Sequence, residues 1–269
     1  MTFQEKEAKL SAGAVKYFVG GDGPPVLYLH SGGGVRLASK PINDWAESFK
    51  IYMPVTPGFD GTPFLDGVDS MQGLAALAGE FIDTVIGGPC DVIGYSFGGW
   101  TAAWLAVLHG GKIGQMVLEG PAGFRPDGAV GLASDPAEFV KQMYAHPEKI
   151  PEDGKPEETV AHNRKAMGHY HDASPMDKAL VARLGEIETL TLILHGTEDG
   201  AIPEESPRLL KSLIPRSFLV YVYDAAHVME IDQPERVSLL VRDFLTRAEG
   251  FLVNWGDEAA GLDAAAATA

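Results

Sequence analysis

Ser96 is the residue best suited to nucleophilic chemistry, because it lies in the pentapeptide Gly-Tyr-Ser-Phe-Gly at residues 94–98. This pentapeptide matches the pattern G-x-S-x-G, in which a serine occupies a sharp turn between a strand and a helix. A short apolar run precedes it and a stretch rich in small residues follows it, as such a turn requires. The alternative is that Ser96 only caps the following helix. We predict that it is the nucleophile.

A serine hydroxyl needs a neighbouring base, and His227 is the candidate because it follows the apolar run at 218–223. Asp199 follows another apolar run, at 190–195, and its carboxylate could orient the imidazole. Glu198 is adjacent, and position after a strand does not decide between the two acids. Loops at the carboxyl ends of parallel strands are where such groups meet.

The elements that must bring these residues together alternate along the chain. Apolar runs predict strands at 14–19, 26–30, 51–55, 91–93, 115–119, 190–195 and 218–223, and periodicity predicts helices at 70–86, 100–108, 204–213 and 234–248. Alternating strands and helices predict an α/β fold with a mainly parallel central sheet flanked by helices.

The alternation breaks between residues 124 and 186, which we predict to be a helical insertion lying over the sheet. The core would then comprise 1–123 and 187–256, and the Ala-rich segment 257–269 would be a flexible tail. Aromatic and Met residues of the insertion either line a pocket or pack it onto the core; they are Phe139, Met143, Tyr144, Met167 and Tyr170. Three of its histidines, His162, His169 and His171, have few acidic neighbours and lack the spacing of a metal site, so no metal is expected.

Four motifs in this order resemble the α/β-hydrolase superfamily, specifically its carboxylesterase-like serine hydrolases with a helical cap. They are the Leu-His-Ser-Gly-Gly of 29–33, the Pro-Gly-Phe of 57–59, the serine motif, and the Gly-Thr-Glu-Asp-Gly-Ala-Ile-Pro of 196–203 paired with Ala226 and His227. The order serine, acid, histidine is also that of this superfamily. The resemblance implies Asp199 rather than Glu198, because the family's acid lies three residues after the glycine.

The resemblance also implies an oxyanion hole formed by the backbone N–H groups of Phe97 and Gly32. The chain departs from the family's usual His-Gly by carrying Ser31 after His30, which leaves the second donor open. We expect Ser31, Tyr95 and Tyr144 to contact the substrate.

Composition narrows the choice of partners. The 269 residues include 37 acidic and 21 basic ones, for a net charge of −16, which argues against nucleic acid and anionic membranes. A single cysteine cannot form an internal disulfide, and the glycine-rich loops lack a nucleotide-binding pattern, so no cofactor is expected. There is no apolar signal or spanning segment, which predicts a cytoplasmic protein with a small-molecule substrate and a possible homodimer.

The leading hypothesis is hydrolysis of a small carboxylic ester through an acyl-Ser96 intermediate. One alternative is a carbon–carbon bond hydrolase of a ring-fission diketone, although those enzymes often carry Asn before the serine, where Tyr95 stands here. Another is a ligand-binding receptor on the same fold.

Overall fold

A computed structural model describes residues 2–129, 131–151, 154–172 and 174–252 of the chain. The predicted flexible tail, 257–269, lies outside the described residues, as do the last residues of the predicted core, 253–256.

Eight strands form one sheet in the order β1-β2-β4-β3-β5-β6-β7-β8. They are β1 Gln4–Leu10, β2 Gly13–Gly20, β3 Pro25–Leu29, β4 Lys50–Pro54, β5 Cys90–Tyr95, β6 Ile113–Glu119, β7 Leu190–Gly196 and β8 Ser217–Val222. Strand β2 is antiparallel to β1 and β4, and each pairing from β4 to β8 is parallel. The predicted mainly parallel sheet is therefore confirmed.

Nine α-helices accompany the sheet in the described part of the chain. They are α1 Lys40–Trp45, α2 Met71–Phe81, α3 Phe97–His109, α4 Pro136–Met143, α5 Glu157–Met167, α6 Lys178–Val181, α7 Glu205–Leu213, α8 Met229–Asp232 and α9 Pro234–Arg247. A π-helical turn at Ile82–Ile86 and 3₁₀ turns at Gly110–Lys112, Pro147–Lys149, Leu184–Glu186 and Ala248–Leu252 complete the helical segments.

Helices cover both faces of the sheet, as neighbouring residues of β3 show. The Tyr28 ring packs against Trp45 of α1, and the Trp45 indole donates to a carbonyl of α9. Leu29 instead borders α2 and α3, beside Leu74 and Thr101. Adjacent strand residues point to opposite faces, so these helix pairs lie on opposite sides of the sheet. Every residue of β7, which pairs with β6 on one side and β8 on the other, is buried, as two-sided coverage requires.

The segment 124–186 leaves the sheet after β6 and returns before β7, and it contains α4, α5 and α6. A β-bridge between Phe124 and Met176 closes its base. Further along, the Tyr170 hydroxyl donates to the Pro57 carbonyl and the Asn163 side chain contacts Asp60. These contacts hold the segment against the loop at the carboxyl end of β4.

Several predicted bounds differ from the structure. Strand β1 and helix α1 were not predicted, because β1 is polar and α1 is only six residues long. The predicted helix over 70–86 ends as an α-helix at Phe81 and continues as the π-helical turn. The predicted helix over 100–108 begins earlier, at Phe97.

Candidate active site

Ser96 lies on the turn between β5 and α3 with a backbone φ of 53° and ψ of −110°. A positive φ is unfavourable for a residue with a Cβ, so the turn is strained. Two glycines permit it: a Cβ on Gly98 would lie 2.0 Å from the Leu29 carbonyl oxygen, and one on Gly94 would lie 2.6 Å from that of Gly98. The predicted strand-to-helix turn is present, and it places Ser96 at the amino end of α3.

His227 connects Ser96 to Asp199 through two hydrogen bonds. Its Nε2 lies 2.9 Å from Ser96 Oγ, and its Nδ1 lies 2.9 Å from Asp199 Oδ2. A carboxylate accepts only, so Nδ1 carries the proton and Nε2 is left to accept from the serine hydroxyl. The three predicted residues thus form one hydrogen-bonded chain, although 131 positions separate Ser96 from His227.

Asp199 is held as an anion by the loop that follows β7. Its Oδ1 accepts from the backbone N–H groups of Ala201 and Ile202, each at 2.8 Å, and its side chain is fully buried. Burial alone would raise the pKa of Asp199, but His227 and the Ile202 N–H outweigh it and hold the pKa below its usual value. Glu198 is exposed, so the structure favours the acid that the resemblance implied.

The loop that carries His227 is fixed from two sides. The buried carboxylate of Asp232 accepts from the Ala226 N–H at 2.8 Å. The Tyr95 hydroxyl donates to the His227 carbonyl at 3.3 Å, and the two rings lie 5.6 Å apart. Tyr95 was predicted to contact substrate, and the structure adds this support of the histidine loop.

The backbone N–H groups of Gly32 and Phe97 have no acceptor within the described part of the chain. Both residues border the same cavity as Ser96. The loop bearing Gly32 is anchored by His30, whose Nδ1 lies 2.7 Å from the Ser31 carbonyl and whose Nε2 accepts from the Thr56 N–H at 3.0 Å. Burial lowers the pKa of His30 to about 4, so the ring is neutral and keeps this tautomer.

A cavity of about 660 Å³ opens beside Ser96. The predicted substrate contacts Ser31, Tyr95 and Tyr144 all border it. Of the insertion residues with two open interpretations, Phe139, Met143, Tyr144 and Met167 line this cavity, whereas Tyr170 is buried against the core. A largely apolar cavity of this size suits a small organic molecule.

Sequence reasoning missed the charged residues around this cavity. Arg36 and Arg125 border it, and Glu119 and Glu230 are buried close by. Two signals were available: Arg36 lies two residues after a run of three glycines that follows β3, and Glu119 ends a continuous apolar run that a two-sided sheet must bury.

Three further observations concern possible metal ligands, membrane-spanning helices and the tryptophans of α3. Among the described residues no group of three or more potential ligands could hold a metal ion. The same residues include no helix with the length and apolar character needed to cross a membrane. Trp100 and Trp104, four residues apart on α3, both donate their indole N–H to Asp177.

A serine on a strained strand-to-helix turn, hydrogen-bonded to a histidine and an acid at the carboxyl edge of a mainly parallel sheet, defines the α/β-hydrolase class. The model of the alpha/beta hydrolase family matches residues 26–238. The chain therefore belongs to the alpha/beta hydrolase family, and it is a hydrolase.

Its relatives include enzymes of two kinds. The chain is 28% identical to a 2-hydroxymuconate semialdehyde hydrolase of Pseudomonas putida, over 85% of this chain and 89% of the relative. It is 26% identical to a pimeloyl-[acyl-carrier protein] methyl ester esterase of Aeromonas salmonicida, over 84% and 96%. A solved meta-cleavage product hydrolase from Pseudomonas fluorescens superimposes with a TM-score of 0.72 at 21% identity, over 90% and 98%, which shows the shared fold.

Proposed function

We propose that this chain hydrolyses a small carboxylic ester through an acyl-Ser96 intermediate. The observation that carries the proposal is the continuous hydrogen-bonded chain from Ser96 Oγ through His227 to Asp199, with 2.9 Å at each step. This geometry allows His227 to take the serine proton as the hydroxyl attacks a carbonyl carbon.

The reaction proceeds in two halves. Ser96 Oγ attacks the ester carbonyl as its proton passes to His227 Nε2, and the tetrahedral oxyanion receives hydrogen bonds from the N–H groups of Phe97 and Gly32. Collapse of this intermediate expels the alkoxide, which takes the proton from His227. His227 then removes a proton from water, the hydroxide attacks the acyl carbon, and the acid leaves as Ser96 Oγ regains its proton.

We also propose that residues 124–186 act as a cap over the site. Phe139, Met143, Tyr144 and Met167 supply apolar walls of the cavity, and their contribution supports a role in enclosing substrate and excluding bulk water.

Carbon–carbon bond hydrolysis of a ring-fission diketone is the second candidate, and the names of several relatives favour it. They include the 2-hydroxymuconate semialdehyde hydrolase and a 2-hydroxy-6-oxo-6-phenylhexa-2,4-dienoate hydrolase of Comamonas testosteroni, 25% identical to this chain. The presence of Tyr95 rather than Asn before the nucleophile favours the ester instead.

The test uses the whole chain, a fluorophosphonate probe, p-nitrophenyl esters from acetyl to palmitoyl, and one ring-fission diketone. We expect stoichiometric labelling and turnover of short to medium esters, with kcat lowered at least about 10³-fold in Ser96→Ala. Ser212→Ala, an exposed serine on α7, is the matched control. Turnover of the diketone alone would favour the second candidate. Unlabelled protein, or full activity in Ser96→Ala, would overturn the proposal.

A further inference from the structure

The cavity beside Ser96 has a charge opposite to that of the molecule. The chain has a net charge of −16, yet four basic side chains line this cavity: Arg36, Arg125, Lys155 and Arg164. No aspartate or glutamate lines it among the described residues. Chance placement on so acidic a chain would put more carboxylates than cations at the wall, so the cavity is selectively basic.

Three of these cations already have partners or face outward. Lys155 forms an ion pair with Asp60 at 2.6 Å. Arg125 donates to a backbone carbonyl, and Arg164 is exposed and stacks on the Phe139 ring at 4.2 Å. Lys155 is paired and Arg164 is screened by solvent, whereas Arg125 has one hydrogen bond although its buried Nε has no partner among the described residues. Arg36 lacks even one such partner in the described ranges.

Arg36 is partly buried, and its guanidinium has neither a hydrogen-bond acceptor nor an ion-pair partner in the described part of the chain. A guanidinium has five N–H donors, and one removed from bulk water is normally paired. The carboxylate of Glu230 acts on Arg36 electrostatically, but its oxygens accept from the Tyr28 hydroxyl at 2.7 Å and the Ser39 hydroxyl at 2.8 Å. The Arg36 donors are therefore available to a ligand.

A second donor lies close to Arg36. Tyr144 of the insertion also lines the cavity, and its hydroxyl has no hydrogen-bond partner among the described residues. Arg36 remains charged, because burial, which would lower its pKa, is outweighed by the neighbouring Glu230 carboxylate and tyrosines, which raise it. A planar fork of N–H groups beside a phenol hydroxyl matches the two oxygens of a carboxylate.

We propose that Arg36 and Tyr144 form a carboxylate-binding subsite, so that the substrate is an ester whose acyl or alcohol part carries a free carboxylate. This inference rests on the proposed ester hydrolysis. Arg36 lies four residues after Gly32 in the loop after β3, so the subsite borders the same cavity as the candidate oxyanion donor. An anion bound there fixes the ester relative to Ser96, which raises kcat/KM for carboxylated substrates over neutral ones.

The kinetic test compares matched pairs of esters. Mono-p-nitrophenyl glutarate against p-nitrophenyl valerate varies the acyl part, and 4-acetoxybenzoate against phenyl acetate varies the alcohol part. We expect kcat/KM for the carboxylated member of one pair to exceed that of its neutral partner by at least about 10-fold in the wild type. We expect this ratio to fall about 100-fold in Arg36→Gln and about 10-fold in Tyr144→Phe.

Arg216→Gln, an exposed arginine paired with Glu249 far from the cavity, is the charge-matched control and should keep the wild-type ratio. Neutral esters preferred in both pairs, or a ratio unchanged in Arg36→Gln, would overturn the subsite. Loss of Ser96-dependent turnover of every ester would instead overturn the proposed function.

A binding measurement distinguishes failure of the carboxylate-binding subsite from failure of the proposed ester hydrolysis. In the Ser96→Ala background, calorimetry compares monomethyl glutarate with dimethyl glutarate, neither of which can be hydrolysed through Ser96. We expect the monoanion to bind more tightly than the diester and its Kd to rise at least about 10-fold when Arg36→Gln is added. Equal Kd values for the two ligands, or a Kd insensitive to Arg36, would refute the subsite even if ester hydrolysis holds.

Discussion

Asp199 and Glu198 are adjacent carboxylates whose surroundings give them different chemistry. The Asp199 side chain is fully buried and accepts three hydrogen bonds, from His227, Ala201 and Ile202. Glu198 extends into solvent. Only the buried carboxylate can fix the imidazole tautomer and stabilise the imidazolium that forms when His227 takes the serine proton.

The substitution Asp199→Asn tests this role, because it replaces one carboxylate oxygen with an NH₂ group. That NH₂ group would face the Nδ1–H of His227, so the imidazole would adopt the other tautomer, with its proton on Nε2. His227 could then no longer accept a hydrogen bond from Ser96. We expect kcat for p-nitrophenyl acetate to fall by about 10³ to 10⁴-fold, with KM changed much less.

Glu198→Gln is the neighbouring control and should retain wild-type kcat, since its side chain is exposed. Comparable losses in the two variants would mean that the loop after β7, rather than the Asp199 carboxylate, supports His227.

The three residues of the hydrogen-bonded chain could be predicted because each lies in a local motif at the end of an apolar run. Residues that act through contacts distant in sequence could not. Glu230 accepts from Tyr28, 202 positions away, and no local pattern indicates that Tyr28 and Ser39 occupy its oxygens. The free guanidinium of Arg36 depends on that arrangement and is therefore visible only in three dimensions.

At the scale of elements, the side chain of Asp232 links the loop before α8 to the insertion through hydrogen bonds. The carboxylate of Asp232, at the end of α8, accepts from the N–H of Ala226, at 2.8 Å, and from those of Ala145 and His146, at 3.0 and 2.9 Å. One buried side chain thus orders both the histidine loop and the segment after α4. The position of His227 is coupled through it to the position of the insertion.

Asp232→Asn should disturb this coupling, because one carboxylate oxygen becomes an NH₂ group that faces N–H donors. We expect the free energy of unfolding to fall by about 1 to 3 kcal/mol and kcat to fall about 10-fold at a temperature where the variant is fully folded. Chemical denaturation measures the first quantity, and the rate of fluorophosphonate labelling gives a second view of His227 alignment.

Asp83→Asn, an exposed aspartate paired with Lys112, serves as the control and should change neither quantity. If Asp232→Asn lowers stability but labels at the wild-type rate, Asp232 supports the fold without positioning His227.

Strands were predicted correctly where burial on both faces of the sheet leaves a continuous apolar run in the sequence. Strands β3, β5, β6 and β7 are continuous apolar runs because helices cover both faces. Strand β1 was missed because it is an edge strand whose alternation places Glu5, Glu7 and Lys9 on its exposed side. Its ordering depends on pairing with β2, a tertiary effect that outweighs the low strand propensity of its charged residues.

Across the whole molecule acidic residues outnumber basic ones, and one acidic residue, Glu119, is buried without a side-chain hydrogen-bond partner among the described residues. The Glu119 side chain is completely buried, and neither of its carboxyl oxygens has a hydrogen-bond partner among the described residues. Burial raises the pKa of Glu119 well above its usual value, and the nearby Glu230 raises it further. Burial therefore favours the protonated form of Glu119 in the folded protein, whereas the unfolded chain ionises it at a lower pH.

This difference predicts how global stability depends on pH. Because the folded pKa is raised, the folded state holds a proton that the unfolded state releases above its own pKa of about 4.5. Glu119 therefore lowers the free energy of unfolding as pH rises, by about 1.4 kcal/mol per pH unit, until the pH reaches the folded pKa. Glu119→Gln abolishes the titration of this group and nearly keeps the side-chain volume, so we expect the variant to gain stability relative to the wild type as the pH rises above about 4.5. Chemical denaturation at several pH values measures the gain, and Glu7→Gln, an exposed glutamate on β1, should show none. A stability difference between Glu119→Gln and the wild type that stays constant with pH would mean that Glu119 ionises alike in both states, and burial would then not control its proton.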